Sequence, residues 1–159
     1  YEIRLSLVGS EMCIRDSYYA ASGPKPEAEA ATGARYADLD TLLAESDFLS
    51  LHVPLNADTR QMINAATLAK VKRGAVLVNT ARGALVDEDA LVDALREGRL
   101  AGAALDVFDQ EPLSAASPLR SLSNVYLAPH NSNSSPSAAA SVHATTIGHV
   151  LRGIGALMP

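Results

Sequence analysis

Hydrophobic residues along most of the chain fall into short apolar runs separated by stretches with a helical repeat. Each run is bounded by turn residues and predicts a strand. The four runs are Asp47–Val53, Ala75–Asn79, Ala101–Val107 and Asn124–Leu127. The last three are almost continuously apolar, which is typical of strands covered on both faces. The first alternates more between apolar and polar positions.

Helical patterns precede, separate and follow these runs. Asp38, Asn64 and Asp87 are residue types that cap helix N-termini, and Gly33 and Gly98 follow predicted helix ends. The predicted helices are Pro26–Thr32, Asp38–Ala44, Asn64–Lys72, Asp87–Glu97 and Pro136 to about Arg152. Strands that alternate with helices predict the α/β class, with a doubly wound parallel sheet and helices on both faces.

Residues 1–17 do not follow this pattern, because charged residues interrupt every apolar repeat there. We interpret them as a non-native segment of translated adapter sequence. The alternative is a short native strand over residues 3–8. The rest divides into a domain over residues 18–135 and a terminal helix within residues 136–159.

Composition narrows the class of protein. The chain has 159 residues, of which 48% are hydrophobic and 19% charged, with a net charge of −5, no tryptophan and one cysteine. An acidic chain poor in aromatic residues is not expected to bind nucleic acid or an anionic membrane surface. Its apolar runs are shorter than the roughly 20 residues of a membrane span. A start with Glu2 and Arg4 does not resemble a signal peptide. We expect a cytoplasmic protein with no metal site.

The candidate chemistry follows the predicted strands directly. Ligands of open parallel sheets bind beyond the carboxyl ends of the strands. The segments found there are His52–Pro54, Asn79–Gly83, Asp106–Pro112 and Pro129–Ser132. All four ends carry polar groups, whereas the opposite ends carry ordinary turns.

Three side chains in these segments suit one reaction, although each also has a structural explanation. Arg82 offers a planar guanidinium that matches a carboxylate, or it closes a helix cap. His130 suits proton transfer near neutral pH, or it is a core histidine bound to a carbonyl. Glu111 orients an imidazole and stabilises its charged form, or it is a solvated loop acid. Together they fit the interconversion of a 2-oxo acid and a 2-hydroxy acid, with hydride carried by a nicotinamide.

The segments that hold these residues resemble the D-isomer-specific 2-hydroxyacid dehydrogenases. The resemblance lies in VLVNTARGALVDEDALVDAL (residues 76–95), GRLAGAALDVFDQEPL (98–113) and NVYLAPH (124–130). It extends over about residues 18–159 and implies an incomplete Rossmann-type sheet followed by a C-terminal helix. The implied catalytic residues are Arg82, Glu111 and His130. The residues implied to bind NAD or NADP are Val53, Pro54, Thr80, Ala81, Arg82, Asp106, His130 and Ser132.

The sequence departs from the family pattern in three places. Residues 1–17 stand where a glycine-rich phosphate loop is expected and contain one glycine, Gly9. Ala20 stands where many NAD-dependent relatives carry an acid, which leaves NAD and NADP both open. Asn131–Ser132 replaces a more usual Ile-Gly or Ile-Ala.

The resemblance implies an oxidoreductase for small D-2-hydroxy or 2-oxo acids such as glyoxylate, hydroxypyruvate or phosphoglycerate. It also implies a homodimer, and a second domain that supplies the other wall of the cleft and toward which the last helix packs. We therefore expect the 159-residue chain to be a fragment with little activity of its own. The alternative function is a non-enzymatic dinucleotide sensor that resembles the transcriptional corepressors of this family.

Overall fold

The computed structural model describes residues 18–20, 23–131 and 134–155. The predictions for residues 1–17 and for Ser132 lie outside these ranges. The strands are β1 (Tyr18–Tyr19), β2 (Arg35–Tyr36), β3 (Phe48–Leu51), β4 (Ala75–Asn79), β5 (Leu100–Leu105) and β6 (Val125–Leu127). The helices are α1 (Pro26–Thr32), α2 (Leu39–Glu45), α3 (Ala65–Leu68), α4 (Glu88–Arg96) and α5 (Pro136–Gly155). Single 3-10 turns span Gly83–Leu85 and Pro118–Ser121.

Within the described residues, β3, β4, β5 and β6 form a sheet in that order, and every neighbouring pair is parallel. β1 and β2 form a separate parallel pair. Parallel neighbours require a crossover connection between them, and helices flank the sheet as these connections demand. The predicted α/β class with a parallel sheet is therefore confirmed.

Local capping explains where the helices begin. The Asp38 carboxylate accepts the Thr41 N–H at 2.8 Å and starts α2. This hydrogen bond lowers the pKa of the Asp38 carboxyl. Asn64 and Thr67 form a reciprocal capping box at α3, and Asp87 caps α4. All three predicted N-caps are confirmed.

The structure differs from the predicted elements in the length of α3 and in an additional strand, β2. Helix α3 ends at Leu68 rather than Lys72. The N–H groups of Lys70 and Val71 bond to carbonyls three residues back, and the Lys72 N–H bonds to the Leu43 carbonyl of α2. The chain therefore tightens into turns and leaves the helix early. Strand β2 was not predicted, because two residues are too short to show an alternation.

Strand β4 coincides with its apolar run, and the bounds of the other three predicted strands differ from their runs by one or two residues. β3 and β5 stop at Leu51 and Leu105, although apolar residues continue to Val53 and Val107. Both strands pair with Asn79 at their last residue, where β4 also ends. The end of β4 therefore sets the ends of its neighbours, which a count of apolar residues does not reveal.

The core lies between the sheet and the helices that connect its strands. Leu77 of β4, Leu91 of α4 and Leu100 of β5 are fully buried in it. Leu42 and Leu43 of α2 and Leu68 of α3 belong to the same cluster. Helix α4 contacts both α3 and β5, so its apolar face covers the middle of the sheet.

The second face of the sheet is less covered by the described chain. Val76 and Val78 alternate with the buried residues of β4 and are only half-buried. The expectation of two covered faces is wrong for β6, where Tyr126 is 72% exposed. β6 is the last strand of the sheet and has a strand neighbour on one side only. No helix in the described ranges is long and apolar enough to cross a membrane.

Replacing Leu77 by alanine is expected to lower the free energy of unfolding by about 2–5 kcal/mol, because it leaves a cavity in the centre of the core. Denaturant titration followed by circular dichroism measures this loss. Tyr126→Ala is the control, and we expect it to change stability by less than about 0.5 kcal/mol because its side chain is exposed. Equal losses in the two variants would contradict the assignment of the core.

Candidate active site

Four loops leave the sheet side by side at its carboxyl edge. The last residues of the strands, Leu51, Asn79, Leu105 and Leu127, are paired across the sheet in one row. The loops that follow therefore begin at the same level along the strands, at one edge of the sheet. They contain the residues that the sequence singled out.

Glu111 and His130 are in direct contact. The His130 Nδ1 lies 2.7 Å from a Glu111 carboxylate oxygen, and the other oxygen accepts the Phe108 N–H at 3.0 Å. The hydrogen bond to His130 is the main cause that holds the pKa of the Glu111 carboxyl below its usual value, and the Phe108 N–H adds to it. Both side chains remain partly exposed, so solvent weakens their mutual attraction.

The backbone around His130 is held in an uncommon conformation. His130 has a φ of 54°, in the left-handed region that non-glycine residues rarely adopt. The next residue, Asn131, donates its N–H to the carboxylate of Asp106 at 2.9 Å. Asp106 is 4% exposed, so this bond forms in a protected environment. It anchors the backbone immediately after His130 to the loop that follows β5.

The arginine loop is organised by a residue that sequence reasoning did not assign to the site. Asn79, 1% exposed, accepts the Ala81 N–H at 3.0 Å and donates to the Arg82 carbonyl at 2.9 Å. The Arg82 side chain is exposed, and its Nη1 donates to the Ala81 carbonyl at 2.6 Å. The feature of the sequence that could have identified Asn79 is its position as a polar amide at the end of an otherwise apolar, buried strand.

Gly83 lets the arginine loop touch the glutamate loop. A Cβ placed on Gly83 would lie 1.8 Å from the Phe108 carbonyl carbon and 2.3 Å from the Asp109 nitrogen. The two backbones are therefore in direct contact, which only a residue without a side chain allows. The contact fixes the distance between the loops that carry Arg82 and Glu111.

Two cavities flank these loops. One of about 510 Å³ is lined by Glu111 and His130, together with Arg120 and apolar residues. The other, of about 450 Å³, is lined by His52, Val53, Pro54, Leu55, Ala81 and Arg82. Four of the residues predicted to bind a dinucleotide, Val53, Pro54, Ala81 and Arg82, thus share one cavity, whereas Thr80 does not line it. A mixed apolar and cationic lining fits a flat ring and an anionic group.

Two further residues predicted to bind the cofactor differ in their exposure to solvent. Thr80 is exposed at the end of β4, and Asp106 is buried beneath the histidine loop. Arg82 lines a different cavity from Glu111 and His130, so the three are joined through neighbouring loops rather than through side-chain contact. In the described ranges there is no cluster of three or more His, Cys, Asp or Glu side chains able to hold a metal ion.

His52 is a further polar residue in the second cavity. Its Nε2 lies 2.8 Å from the Ser50 hydroxyl. Burial lowers the pKa of the imidazole, so its neutral form is favoured at neutral pH. Ala20, the residue after β1, is buried. A small apolar side chain therefore occupies the position at which the family resemblance implies an acid in many NAD-dependent relatives.

Comparison with known proteins identifies the class to which this fold and site belong. Residues 7–132 match the NAD-binding domain of the D-isomer specific 2-hydroxyacid dehydrogenases. The chain belongs to this family. The predicted family and the nicotinamide class of cofactor are thereby confirmed.

The chain is also similar to individual members of the family. The chain is 50% identical over 127 residues to a glyoxylate reductase of Aeropyrum pernix, which covers 80% of this chain and 38% of the relative. It is 53% identical over 112 residues to a glyoxylate/hydroxypyruvate reductase B of Pectobacterium carotovorum, which covers 70% of this chain and 35% of the relative. The chain thus spans little more than a third of the length of these relatives.

Solved structures show the same fold. The TT0316 protein of Thermus thermophilus superposes with a TM-score of 0.71 at 45% identity, over 77% of this chain and 38% of that protein. A D-isomer specific 2-hydroxyacid dehydrogenase of Xanthobacter autotrophicus, solved with NADPH and MES, gives a TM-score of 0.67 at 41% identity. That match covers 72% of this chain and 36% of the other.

Replacing Gly83 by alanine is expected to lower stability by about 1–3 kcal/mol, because the added methyl group overlaps the Phe108 backbone. Denaturant titration measures the loss. Gly23→Ala is the matched control, since a Cβ there meets nothing within 4 Å. A Gly83 variant as stable as the Gly23 variant would show that the two loops are not in contact.

The titration of Glu111 is expected to depend on His130. Folding lowers the pKa of the Glu111 carboxyl, so its carboxylate form stabilises the folded state. This contribution to stability is present above the pKa of the unfolded state and is lost as the pH falls through the pKa of the folded state. In His130→Gln the midpoint of the Glu111 carboxyl signal, followed by NMR, is expected to rise. The Asp38 midpoint is the control, since Thr41 rather than His130 lowers it. An unchanged Glu111 midpoint would exclude the pairing in solution.

Proposed function

We propose that this chain is the dinucleotide-binding part of an NAD(P)-dependent D-2-hydroxyacid dehydrogenase that acts on small 2-oxo acids such as glyoxylate or hydroxypyruvate. The observation that carries the proposal is the hydrogen bond between Glu111 and His130 at the carboxyl edge of a parallel sheet. The names of the relatives support the choice of substrate class.

His130 is the proposed acid and base of the reaction. Its Nδ1 bonds to the Glu111 carboxylate, so the ring is oriented and Nε2 is the atom that exchanges a proton with the substrate oxygen. The imidazolium is the form of the ring that donates a proton to a carbonyl oxygen, and the neutral ring is the form that accepts one. When bound, the nicotinamide ring supplies or accepts the hydride that no side chain can carry.

Arg82 is the proposed binding group for the substrate carboxylate. Its guanidinium is exposed and lines the cavity beside Ala81, and one of its nitrogens is already fixed by the Ala81 carbonyl. A planar cation held in this way binds a carboxylate with defined orientation. It also stabilises negative charge that develops on the carbonyl oxygen during reduction.

The cofactor is proposed to lie against the first and second loops, which follow β3 and β4. Val53 and Pro54 would lie beside its adenosine half, and Thr80, Ala81 and Arg82 would line the nicotinamide pocket. Asp106, His130 and Ser132 would also lie on the nicotinamide side. The proposal covers both NAD(H) and NADP(H), since Ala20 neither binds a ribose hydroxyl nor repels a 2′-phosphate.

We further propose the organisation of the parent protein. Residues 18–135 would be part of its nucleotide-binding domain, and residues 136–159 a helix that packs toward a second domain. That domain would complete the cleft, and the parent would be a cytoplasmic homodimer. The share of the relatives that this chain covers supports this division.

A chimera tests the function directly. The part of the Aeropyrum pernix glyoxylate reductase that corresponds to residues 18–155 is replaced by those residues of this chain, and the relative keeps its own sequence on both sides. We expect the chimera to oxidise NADH or NADPH in the presence of glyoxylate. In it, His130→Gln should lower kcat by about 10²–10⁴-fold, because the proton donor is lost.

His143→Gln is the matched control, since His143 is an exposed residue of α5. It is expected to retain the activity of the unsubstituted chimera. Dinucleotide binding without turnover of any simple 2-oxo acid would contradict the proposal and favour a dinucleotide sensor. Full activity of His130→Gln would exclude this histidine as the proton donor.

A further inference from the structure

Asn79 uses both ends of its side-chain amide inside the protein. Its Oδ1 accepts the Ala81 N–H at 3.0 Å, and its Nδ2 donates to the Arg82 carbonyl at 2.9 Å. The residue is 1% exposed, so water does not compete for these bonds. An amide at this position therefore fixes the backbone on both sides of the peptide that joins Ala81 to Arg82.

The main chain of Asn79 reaches the opposite loop. Its carbonyl accepts the Asp106 N–H at 3.0 Å, one residue beyond the paired ends of β4 and β5. The Asp106 carboxylate in turn accepts the Asn131 N–H at 2.9 Å, next to His130. One buried residue thus connects the loop of the guanidinium to the loop of the imidazole.

The Arg82 side chain depends on the same backbone. Its Nη1 donates to the Ala81 carbonyl at 2.6 Å, and that carbonyl belongs to the peptide that Asn79 clamps. A rotation of this peptide would move the guanidinium, since its anchor would turn with it. Gly83 restrains the loop only after Arg82 and against a different backbone.

We propose that Asn79 is a positioning residue, whose side-chain amide sets the orientation of Arg82 for binding the carboxylate of the substrate. This inference rests on the proposed function, because it assigns Arg82 to the substrate carboxylate. Asn79 does not touch the substrate. Its replacement weakens binding of the oxo acid more than binding of the dinucleotide, because Val53 and Pro54, which are also proposed to bind the dinucleotide, lie on another loop.

Asn79→Asp distinguishes positioning from simple structural support. A protonated aspartic acid donates and accepts as the amide does, whereas a carboxylate cannot donate to the Arg82 carbonyl. Burial favours the protonated form, so lowering the pH restores the missing donor. Asn79→Ala lacks both groups at every pH.

The kinetic test uses the chimera described above. For Asn79→Asp at neutral pH, we expect KM for glyoxylate to rise about tenfold or more relative to the unsubstituted chimera, with a smaller change in kcat. The ratio of the two KM values should fall toward one as the pH decreases. For Asn79→Ala the ratio should stay high across the range. In both variants at neutral pH, the Kd for NADH or NADPH should rise by a smaller factor than KM for glyoxylate.

Asn124→Asp is the matched control. Asn124 is half-buried at the opposite end of the sheet, and its amide also donates to a backbone carbonyl, that of Leu95, at 3.4 Å. We expect the same KM for glyoxylate as in the unsubstituted chimera at each pH. An equal rise in KM in this control, or an Asn79→Asp defect that does not depend on pH, would overturn the proposal.

A second measurement does not require a folded variant or an active enzyme. In the unsubstituted 159-residue chain, the Asn79 side-chain proton bonded to the Arg82 carbonyl and the Ala81 N–H should exchange slowly with solvent by NMR, because both are bonded in a buried site. Rapid exchange would overturn the inference even if the chimera is active. Slow exchange together with an inactive chimera would support the two hydrogen bonds of the Asn79 side chain and would contradict the proposed function instead.

Discussion

The hydrogen bond from the Asp106 N–H to the Asn79 carbonyl is the contact on which the site depends. It continues the ladder between β4 and β5 for one residue beyond the paired strands, so the loops that follow leave the sheet together. From that point the arginine loop is held by the Asn79 amide, and the histidine loop is held by the Asp106 carboxylate. A sheet interaction that carries no chemistry of its own therefore brings a cation, a carboxylate and an imidazole to one edge.

The charged side chains of the site are partly exposed to solvent, so a ligand that covers them would change the strength of their interactions. The Glu111–His130 pair is close, yet both side chains remain partly exposed, so water screens the pair in the structure described here. A bound ligand that excludes water would strengthen this interaction and that of Arg82 with an anion. Asp106 and Asn79 are already buried, and their role is to fix backbone positions whether or not a ligand is present.

Features governed by neighbours in the chain were predictable from the sequence, whereas features governed by partners across the sheet were not. Asp38, Asn64 and Asp87 cap helices because their side chains meet amides two or three residues ahead. The end of β3 and the early end of α3 depend on Asn79 and Leu43, which lie far along the chain. Of the site, the Glu111–His130 pairing followed from the resemblance and the chemistry of the two groups. The two hydrogen bonds of the Asn79 side chain could not be predicted in this way, since an amide at the end of a strand can have many different partners.

The contact between Gly83 and the Phe108 backbone has an evolutionary consequence. The arginine and glutamate loops are separated by more than twenty residues, yet neither can change its path independently. A side chain gained at position 83 demands a compensating shift in the course of residues 108–109. In descendants of this sequence the two segments would therefore vary together, and insertions would accumulate in other connections of the fold.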